Sequence, residues 1–178
     1  YVQNFQTVFG QPSTKYSNID QYIAAWNYDR YTGSGLTNYI NQMKAGGYGP
    51  FWSMDYWMDS LNIMYRATGN SYYLRENLRT IRAVLDYRDD RRSPQAQLYN
   101  GLIAPVWGTA YYAEGTGRRY YVGHSGMITY PMLDFLELAK ADPAVLAQIP
   151  EYDDMITTIQ QTLDWHDREW VNGPAAGE

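Results

Sequence analysis

The 178-residue chain is long enough for one domain with a sizeable core, and its composition excludes several classes of protein. It has no cysteine, which excludes disulfides, thiolate catalysis and cysteine-ligated zinc or iron–sulfur sites. Its formal net charge is -5, so it gains no general electrostatic attraction to nucleic acids or anionic membranes. We therefore expect neither of these partners.

Aromatic side chains are frequent, with 19 Tyr, 6 Trp and 4 Phe. Tyr and Trp combine a flat apolar face with a polar tip, which suits ring-shaped, hydrated ligands such as sugars as well as protein interfaces. A bulky core under a tyrosine-rich surface would give the same composition. No run of about 18 apolar residues, the length that a bilayer span requires, occurs in the sequence.

The first third of the chain predicts an irregular start and a short helical hairpin. Residues 1–16 read as an extended or irregular lead-in. Apolar positions at helical spacing then predict helices over about 19–31 and 36–44, separated by a glycine-containing turn. The glycine-rich loop that follows ends the second helix and carries aromatic residues to the next one. We expect that loop to be a wall of a ligand site.

Residues 53–90 predict an αα-hairpin whose two arms differ in exposure. The first arm is largely apolar at helical spacing, apart from one polar line that consists of Asp55, Asp59, Asn62 and Arg66. The second arm alternates a leucine stripe with a charged stripe, as is typical of a helix with one face in water. We expect Gly69 to end the first arm in the left-handed conformation and Ser71 to cap the second. The pattern indicates an inner helix followed by an outer helix.

The segment after this hairpin changes character. Residues 89–94 mix acidic and basic side chains, which predicts a solvated exit from the outer helix. Residues 98–123 place several aromatic residues on both sides of a glycine turn at 114–117, which predicts a β-hairpin or a long ordered insertion. Insertions of this kind often carry specificity.

A second inner and outer pair is predicted in the last third of the chain. Residues 127–141 are apolar apart from a polar line of Tyr130, Asp134 and Glu137, and Pro131 places the start of the regular helix nearer Tyr130 than Ser125. A single helical turn is expected at 144–148. The final helix, from Pro150 onward, is the predicted outer partner.

Two phrases of the sequence resemble a known superfamily. They are YWMDSLNIMYRATGNSYYLRENLRTIRAVL and GHSGMITYPMLDFLELAKADP, and within the first, YRATGNSYYL resembles the pattern of an aromatic residue, Ala-Thr-Gly, a polar residue and Tyr-Leu between helices. The resemblance is to the six-hairpin (α/α) toroid superfamily and covers about residues 19–171, roughly three of six hairpins. That superfamily holds glycoside hydrolases, polysaccharide lyases, sugar epimerases and non-enzymatic relatives, so it implies an architecture and not one function.

The resemblance implies a cleft where the inner helices begin, near residues 52–59 and 124–134. Glycoside hydrolysis there would need two carboxyl groups across the scissile bond. Asp55 and Asp59 lie one turn apart on one helix, so a better opposed pair is Asp55 with Asp134 or with Glu114. The simpler alternatives are that Asp55 complements the helix dipole and that Asp59 pairs with Asn62 or Arg66.

β-Elimination from a uronic acid is the alternative chemistry, because it needs a base, an acid and a group that neutralises the substrate carboxylate. His124 and Tyr130 are natural proton carriers, and both lie at the start of the second inner helix. A loop histidine that bonds to the backbone is the structural alternative for His124. His166 lies on an apolar stripe and is interpreted as a packing histidine.

The substrate-binding residues proposed from the sequence are aromatic or basic: Trp52, Trp57, Trp107, Tyr121 and Arg119. With two histidines and no cysteine, a zinc site would depend on carboxylates, so no metal is expected. The glycine pairs lack the strand-to-helix context and the lysine of a phosphate loop, so no nucleotide or other cofactor is expected.

Together these observations predict a mainly α protein, built from antiparallel αα-hairpins of an incomplete (α/α) toroid with a short β-hairpin insertion at 98–123. We expect residues 1–178 to be a single domain of a larger toroid, cut at both ends and completed by further sequence or by self-association. The predicted function is hydrolysis or β-elimination of a polysaccharide or oligosaccharide. The alternative is a non-catalytic glycan-binding or scaffold module. A secreted or periplasmic location would suit either role.

Overall fold

The computed structural model describes residues 19–28, 33–45, 52–110 and 117–169, and it confirms that the protein is mainly α-helical. Seven α-helices and one 3-10 turn occur in these ranges: α1 Ile19–Tyr28, α2 Gly33–Lys44, α3 Trp52–Thr68, α4 Tyr72–Asp86, α5 Val122–Ala141, α6 Pro143–Leu146, α7 Tyr152–Trp165 and the 3-10 turn His166–Glu169. In the described residues no helix is long and apolar enough to cross a membrane. The lead-in predicted for residues 1–16 and the loop at 46–51 lie outside the described ranges.

The predicted hairpin at 53–90 is confirmed, and its first arm lies at the centre of the structure. Helix α3 packs against both α4 and α5. Its apolar face, with Met54, Met58 and Leu61, is completely buried. Gly69 ends α3 with a φ of +67°, the left-handed conformation that glycine adopts without strain. The prediction of one inner helix with an apolar majority and a polar line therefore describes α3 well.

Ser71 occupies the N-cap position of α4, as predicted, but its side chain does not cap the helix. The side chain of Ser71 makes no capping hydrogen bond, because its Oγ donates to Oδ2 of Asp142 at 2.7 Å. Oδ1 of Asn70 instead accepts from the backbone N–H of Tyr72 at 3.0 Å. Asp142 also accepts from the N–H groups of Ala144 and Val145 at the start of α6. Asp142 therefore links the α3–α4 turn to the α5–α6 junction.

A chain of polar side chains crosses the interior from α4 through α3 to α5. Asn77 on α4 is completely buried and donates to Oδ1 of Asn62 at 2.7 Å. Nδ2 of Asn62 donates to the Pro131 carbonyl and to Oδ2 of Asp134, both at 2.9 Å. Arg66 forms a salt bridge with Asp134 on the solvent side of this chain of side chains. Buried amides that donate in this way fix the register of three helices, because any sliding would leave polar groups unpaired.

Helix α5 begins at Val122, earlier than Pro131 suggested. Pro131 lies buried inside the helix and not in its first turn. A proline has no N–H group, so the Met127 carbonyl one turn earlier loses its helical donor. The helix tolerates this loss because tertiary contacts on both sides hold it, with Ile128, Met132 and Phe135 fully buried. Helix α7 packs against α5, as expected of its partner.

The prediction of a solvated exit at 89–94 is wrong for Asp89, which is buried beside Arg88, whereas Arg91, Ser93 and Pro94 are exposed as predicted. The Arg88 guanidinium donates to Asp90 and to the Thr158 carbonyl on α7. Asp89 is 0% exposed and accepts from the Gly108 N–H at 2.9 Å and from Arg118 at 2.6 Å. The charged residues at the end of α4 therefore form buried ion pairs and hydrogen bonds, and those of Asp89 hold the segment that contains Gly108 and Arg118 against the helix.

The predicted β-hairpin at 98–123 is not confirmed in the part of it that the structure describes. Thr109 and Arg119 form one isolated antiparallel bridge, with N–H to carbonyl distances of 2.7 and 2.8 Å. Residues 111–116, including Glu114, lie outside the described ranges. Gly117 has a φ of +114°, and a side chain there would meet the backbone of Tyr99 at 3.0 Å. The segment is thus held by scattered backbone hydrogen bonds, side-chain contacts and close approach rather than by a sheet.

Candidate functional site

An open depression of about 340 Å³ lies between α3 and α5. It is formed where the polar line of α3 faces the first half of α5, and its lining residues are Asp55, Tyr56, Asp59, Gly126, Met127, Tyr130 and Pro131. Helical spacing brings Asp55 and Asp59 to the same wall because they are one turn apart. The opposite wall has Gly126 at a point where α5 carries no side chain.

Asp55 and Asp59 supply two carboxyl groups whose proton affinity is increased. Asp55 is 8% exposed, and burial raises its pKa, although the adjacent Tyr56 N–H opposes that shift by donating to the carboxylate. Burial also raises the pKa of Asp59, with a further increase from the negative charge of Asp134. Both carboxyl groups are therefore protonated at a higher pH than ordinary aspartic acids, as a general acid requires.

Two tyrosines line the same depression as these carboxyl groups. Tyr56 on α3 is 60% exposed and Tyr130 on α5 is 67% exposed, so their rings stand largely in solvent. Met127 and Pro131 complete the wall of α5 with apolar side chains. The depression thus combines aromatic rings, apolar surface and carboxyl groups.

Asp134 does not line the depression, and its carboxylate is used within the protein. It accepts from Asn62 and from both terminal nitrogens of Arg66. The same hydrogen bonds raise the pKa of Arg66 above its ordinary value. Asp134 therefore has a structural role and does not form the predicted pair with Asp55 across a scissile bond. Its negative charge raises the pKa of Asp59.

His124 lies in the first turn of α5 but is not among the residues that line the depression. Its ring stacks edge-on against Tyr121, with 5.0 Å between ring centroids. Burial lowers the pKa of His124, so the neutral imidazole is favoured at neutral pH. The structure thus brings Tyr130 and Asp55 together and places His124 and Tyr121 at a separate point of the helix start.

The other proposed binding residues are dispersed. Trp107 is 3% exposed and its indole N–H donates to the Val84 carbonyl at 2.8 Å, so it serves the core and cannot present its face to a sugar. Trp57 is half-buried against Tyr39, and Arg119 lies over the ring of Tyr99. Trp52 begins α3, but its side chain lies outside the described residues.

Sequence reasoning missed Tyr56 as a residue of the depression. Tyr56 carried a usable signal, because it follows Asp55 directly and lies off the apolar stripe of α3. In the described ranges, no group of three or more His, Asp or Glu side chains is arranged to hold a metal ion.

Comparison with known proteins identifies no relative. No protein-family model matches the chain, and neither the curated proteins nor the solved structures contain a significant match.

Proposed function

We propose that this protein is a carbohydrate-active enzyme that hydrolyses a glycosidic bond in the α3–α5 depression, with Asp55 and Asp59, which share one wall, as the proton-donating carboxyl groups on one side of that bond. The observation that carries the proposal is the pairing of two carboxyl groups of raised pKa with two exposed tyrosine rings in one open depression. Clefts with perturbed carboxyl groups are the usual location of acid–base chemistry.

The tyrosines support a sugar as the ligand. A pyranose presents apolar C–H faces and a rim of hydroxyl groups, so it binds well to an aromatic face beside hydrogen-bond acceptors. Tyr56 and Tyr130 provide the faces, while the Asp55 and Asp59 carboxyl groups provide hydrogen-bond partners.

Hydrolysis is favoured over β-elimination by the charges around the depression. Elimination from a uronic acid needs a cation or amide for the substrate carboxylate, whereas Arg66, the arginine nearest to these carboxyl groups along α3, is held by Asp134. The predicted base, His124, does not line the depression. Two adjacent carboxyl groups would also repel a uronate.

We also propose that the helices belong to an (α/α) toroid, with α3 and α5 as inner helices and α4 and α7 as outer ones. Two features support this assignment: α3 and α5 pack on each other, and each packs on the next long helix of the chain, α4 for α3 and, beyond the single turn α6, α7 for α5. The depression then lies near the start of the inner helices. A polysaccharide or oligosaccharide is the proposed partner, and further hairpins or a second copy would complete the ring.

The test is turnover by the full chain on a panel of neutral and uronate oligosaccharides. Reducing-end release reports hydrolysis, and absorbance near 235 nm, roughly the band of an unsaturated uronate, reports elimination. We expect reducing ends from a neutral substrate, with kcat lowered about 100-fold in Asp55→Asn and in Asp59→Asn. Asp86→Asn, an exposed carboxyl group at the end of α4, is the matched control.

Two results would overturn the proposal. Elimination products that depend on His124 and not on Asp55 would assign a lyase. Sugar binding without turnover, weakened by Tyr56→Ala and Tyr130→Ala, would assign a non-catalytic glycan-binding module. The raised pKa values further predict an acidic optimum, because the acid group must hold its proton and is deprotonated as pH rises.

A further inference from the structure

A second arrangement of reactive side chains lies where the C-terminal 3-10 turn meets the start of α5. Oγ of Ser125 lies 2.8 Å from Nε2 of His166. Nδ1 of the same ring lies 2.9 Å from Oε2 of Glu169. Ser125 and His166 are 3% and 2% exposed, while the Glu169 side chain is 33% exposed. Ser125 on α5 and the pair His166 and Glu169 on the 3-10 turn form one hydrogen-bonded series.

The chemistry of the partners fixes the direction of these hydrogen bonds. An ionised carboxylate can only accept, so Nδ1 of His166 carries the proton that it donates to Glu169. Nε2 of the neutral ring is then an acceptor, and the Ser125 hydroxyl donates to it. This order places a base beside a hydroxyl nucleophile and a carboxylate behind the base, which is the arrangement of hydrolytic Ser-His-acid triads.

The surroundings of Ser125 favour negative charge on its oxygen. Ser125 lies in the first turn of α5, at the positive end of the helix dipole, and the side chain of Tyr121 does not cap that end. Gly123 and Gly126 flank it, and a side-chain carbon added at either glycine would meet nothing within 4 Å. The surface of α5 is therefore open at these two glycine positions.

Glu169 is held in place by a second contact. The Tyr120 hydroxyl interacts with Glu169, and the Tyr120 ring lies 5.6 Å from that of His166. The imidazole is thus fixed by its neighbours at both nitrogens and on its face. Any buried histidine needs a partner at both ring nitrogens, so what indicates a function is the identity of the partners: a hydroxyl at one nitrogen and a carboxylate at the other.

We propose that Ser125, His166 and Glu169 form an esterase site that is separate from the carbohydrate depression and takes small carboxylic esters. The 3% exposure of Ser125 limits the acyl group to a small one such as acetyl. O-acetylated sugars belong to this chemical class, as do simple acetate esters. The site requires no metal or cofactor.

In the proposed reaction, Oγ of Ser125 attacks the ester carbonyl while its proton passes to Nε2 of His166. The carbon–oxygen bond to the alcohol breaks, and the alcohol leaves with the proton from Nε2. Water then attacks the acyl-serine through the same base, which releases the carboxylic acid and returns the proton to Oγ. Glu169 stays ionised and stabilises the transient imidazolium.

The test combines covalent labelling with ester turnover. Methanesulfonyl fluoride, a serine-directed reagent whose sulfonyl group is about as small as an acetyl group, is incubated with the unaltered chain, and the adduct is mapped by peptide mass spectrometry, which needs no variant to fold. Turnover of 4-nitrophenyl acetate is measured for the unaltered chain and for Ser125→Ala, Glu169→Gln and the control Ser60→Ala. Ser60 lies on α3 and donates to the Trp57 carbonyl.

We expect an adduct on Ser125 and a loss of turnover of at least about 100-fold in Ser125→Ala, with none in Ser60→Ala. Glu169→Gln should lower turnover strongly while the midpoint temperature of thermal unfolding stays close to that of the unaltered chain. Failure of the reagent to label Ser125 in the folded chain, or equal turnover by the unaltered chain and Ser125→Ala, would assign the series a structural role and overturn the proposal.

Discussion

Two sets of aspartates in this protein show the same direction of pKa shift but have different neighbours. Asp89 is completely buried and receives hydrogen bonds from Arg118 and the Gly108 N–H. Asp55 and Asp59 line an open depression, and no side-chain donor to either carboxylate is found among the described residues. Burial raises the pKa of all three.

The comparison shows that a raised pKa does not by itself mark a functional carboxylate. At Asp89 two donors of the protein hold the carboxylate, although burial still raises its pKa, so the group is a fixed part of the fold. At Asp55 and Asp59 burial also raises the pKa, but the carboxyl groups line an open depression. Such groups can exchange a proton with a ligand, because no side-chain donor has to be displaced first. The following predictions test whether the two sets behave differently.

The largest effect is expected from removing the buried carboxylate. Asp89→Ala should lower the free energy of unfolding by about 3 kcal/mol, because Arg118 and the Gly108 N–H lose their partner in the interior. Chemical denaturation monitored by circular dichroism measures the change. Asp86→Ala, three residues earlier and exposed, should stay within about 0.5 kcal/mol. Equal effects of the two substitutions would remove the distinction between structural and open carboxylates.

A smaller loss is expected from the polar chain behind the depression. Asn62→Ala should cost about 2 kcal/mol, because the Pro131 carbonyl, Asp134 and Asn77 each lose a hydrogen-bond partner. The free energy of unfolding is again the measurement, and exposed Asn38 on α2 provides the control as Asn38→Ala. An Asn62→Ala protein as stable as the control would show that these hydrogen bonds do not hold α3 and α5 together.

The smallest effect concerns Asp142 and depends on pH. The Ser71 hydroxyl and the helix-cap N–H groups lower the pKa of Asp142, so its contribution to stability is present above the unfolded-state pKa and is lost as pH falls through the folded-state pKa. Asp142→Ala should cost about 1 kcal/mol at pH 7, and the difference from the unaltered chain should narrow below about pH 4.

Thermal or chemical unfolding at pH 7 and at about pH 3 measures that difference. Glu137→Ala, on the exposed side of α5, serves as the control. A difference that stays constant or widens in acid would show that the ionised carboxylate of Asp142 does not link the two hairpins.

The helices could be predicted from sequence because their signals are local. Apolar spacing and Gly69 located the α3–α4 hairpin to within a few residues. The segment after Asp86 could not be predicted, because charge in sequence does not reveal whether Asp89 meets solvent or a distant Arg118. The same limit applies to the site. Asp55 and Tyr130 were identified from their helix positions, but the capture of Asp134 by Asn62 and Arg66 depends on how two helices face each other.

The most direct test of the account follows the aspartate carboxyl groups by ¹³C nuclear magnetic resonance during a pH titration, with and without a neutral oligosaccharide. We predict pKa values above the ordinary range for Asp55 and Asp59, and a ligand-dependent change at these two carboxyl groups while Asp89 stays unchanged. Ordinary pKa values at Asp55 and Asp59, with no response to any sugar of the panel, would contradict the claim that the α3–α5 depression is the functional site.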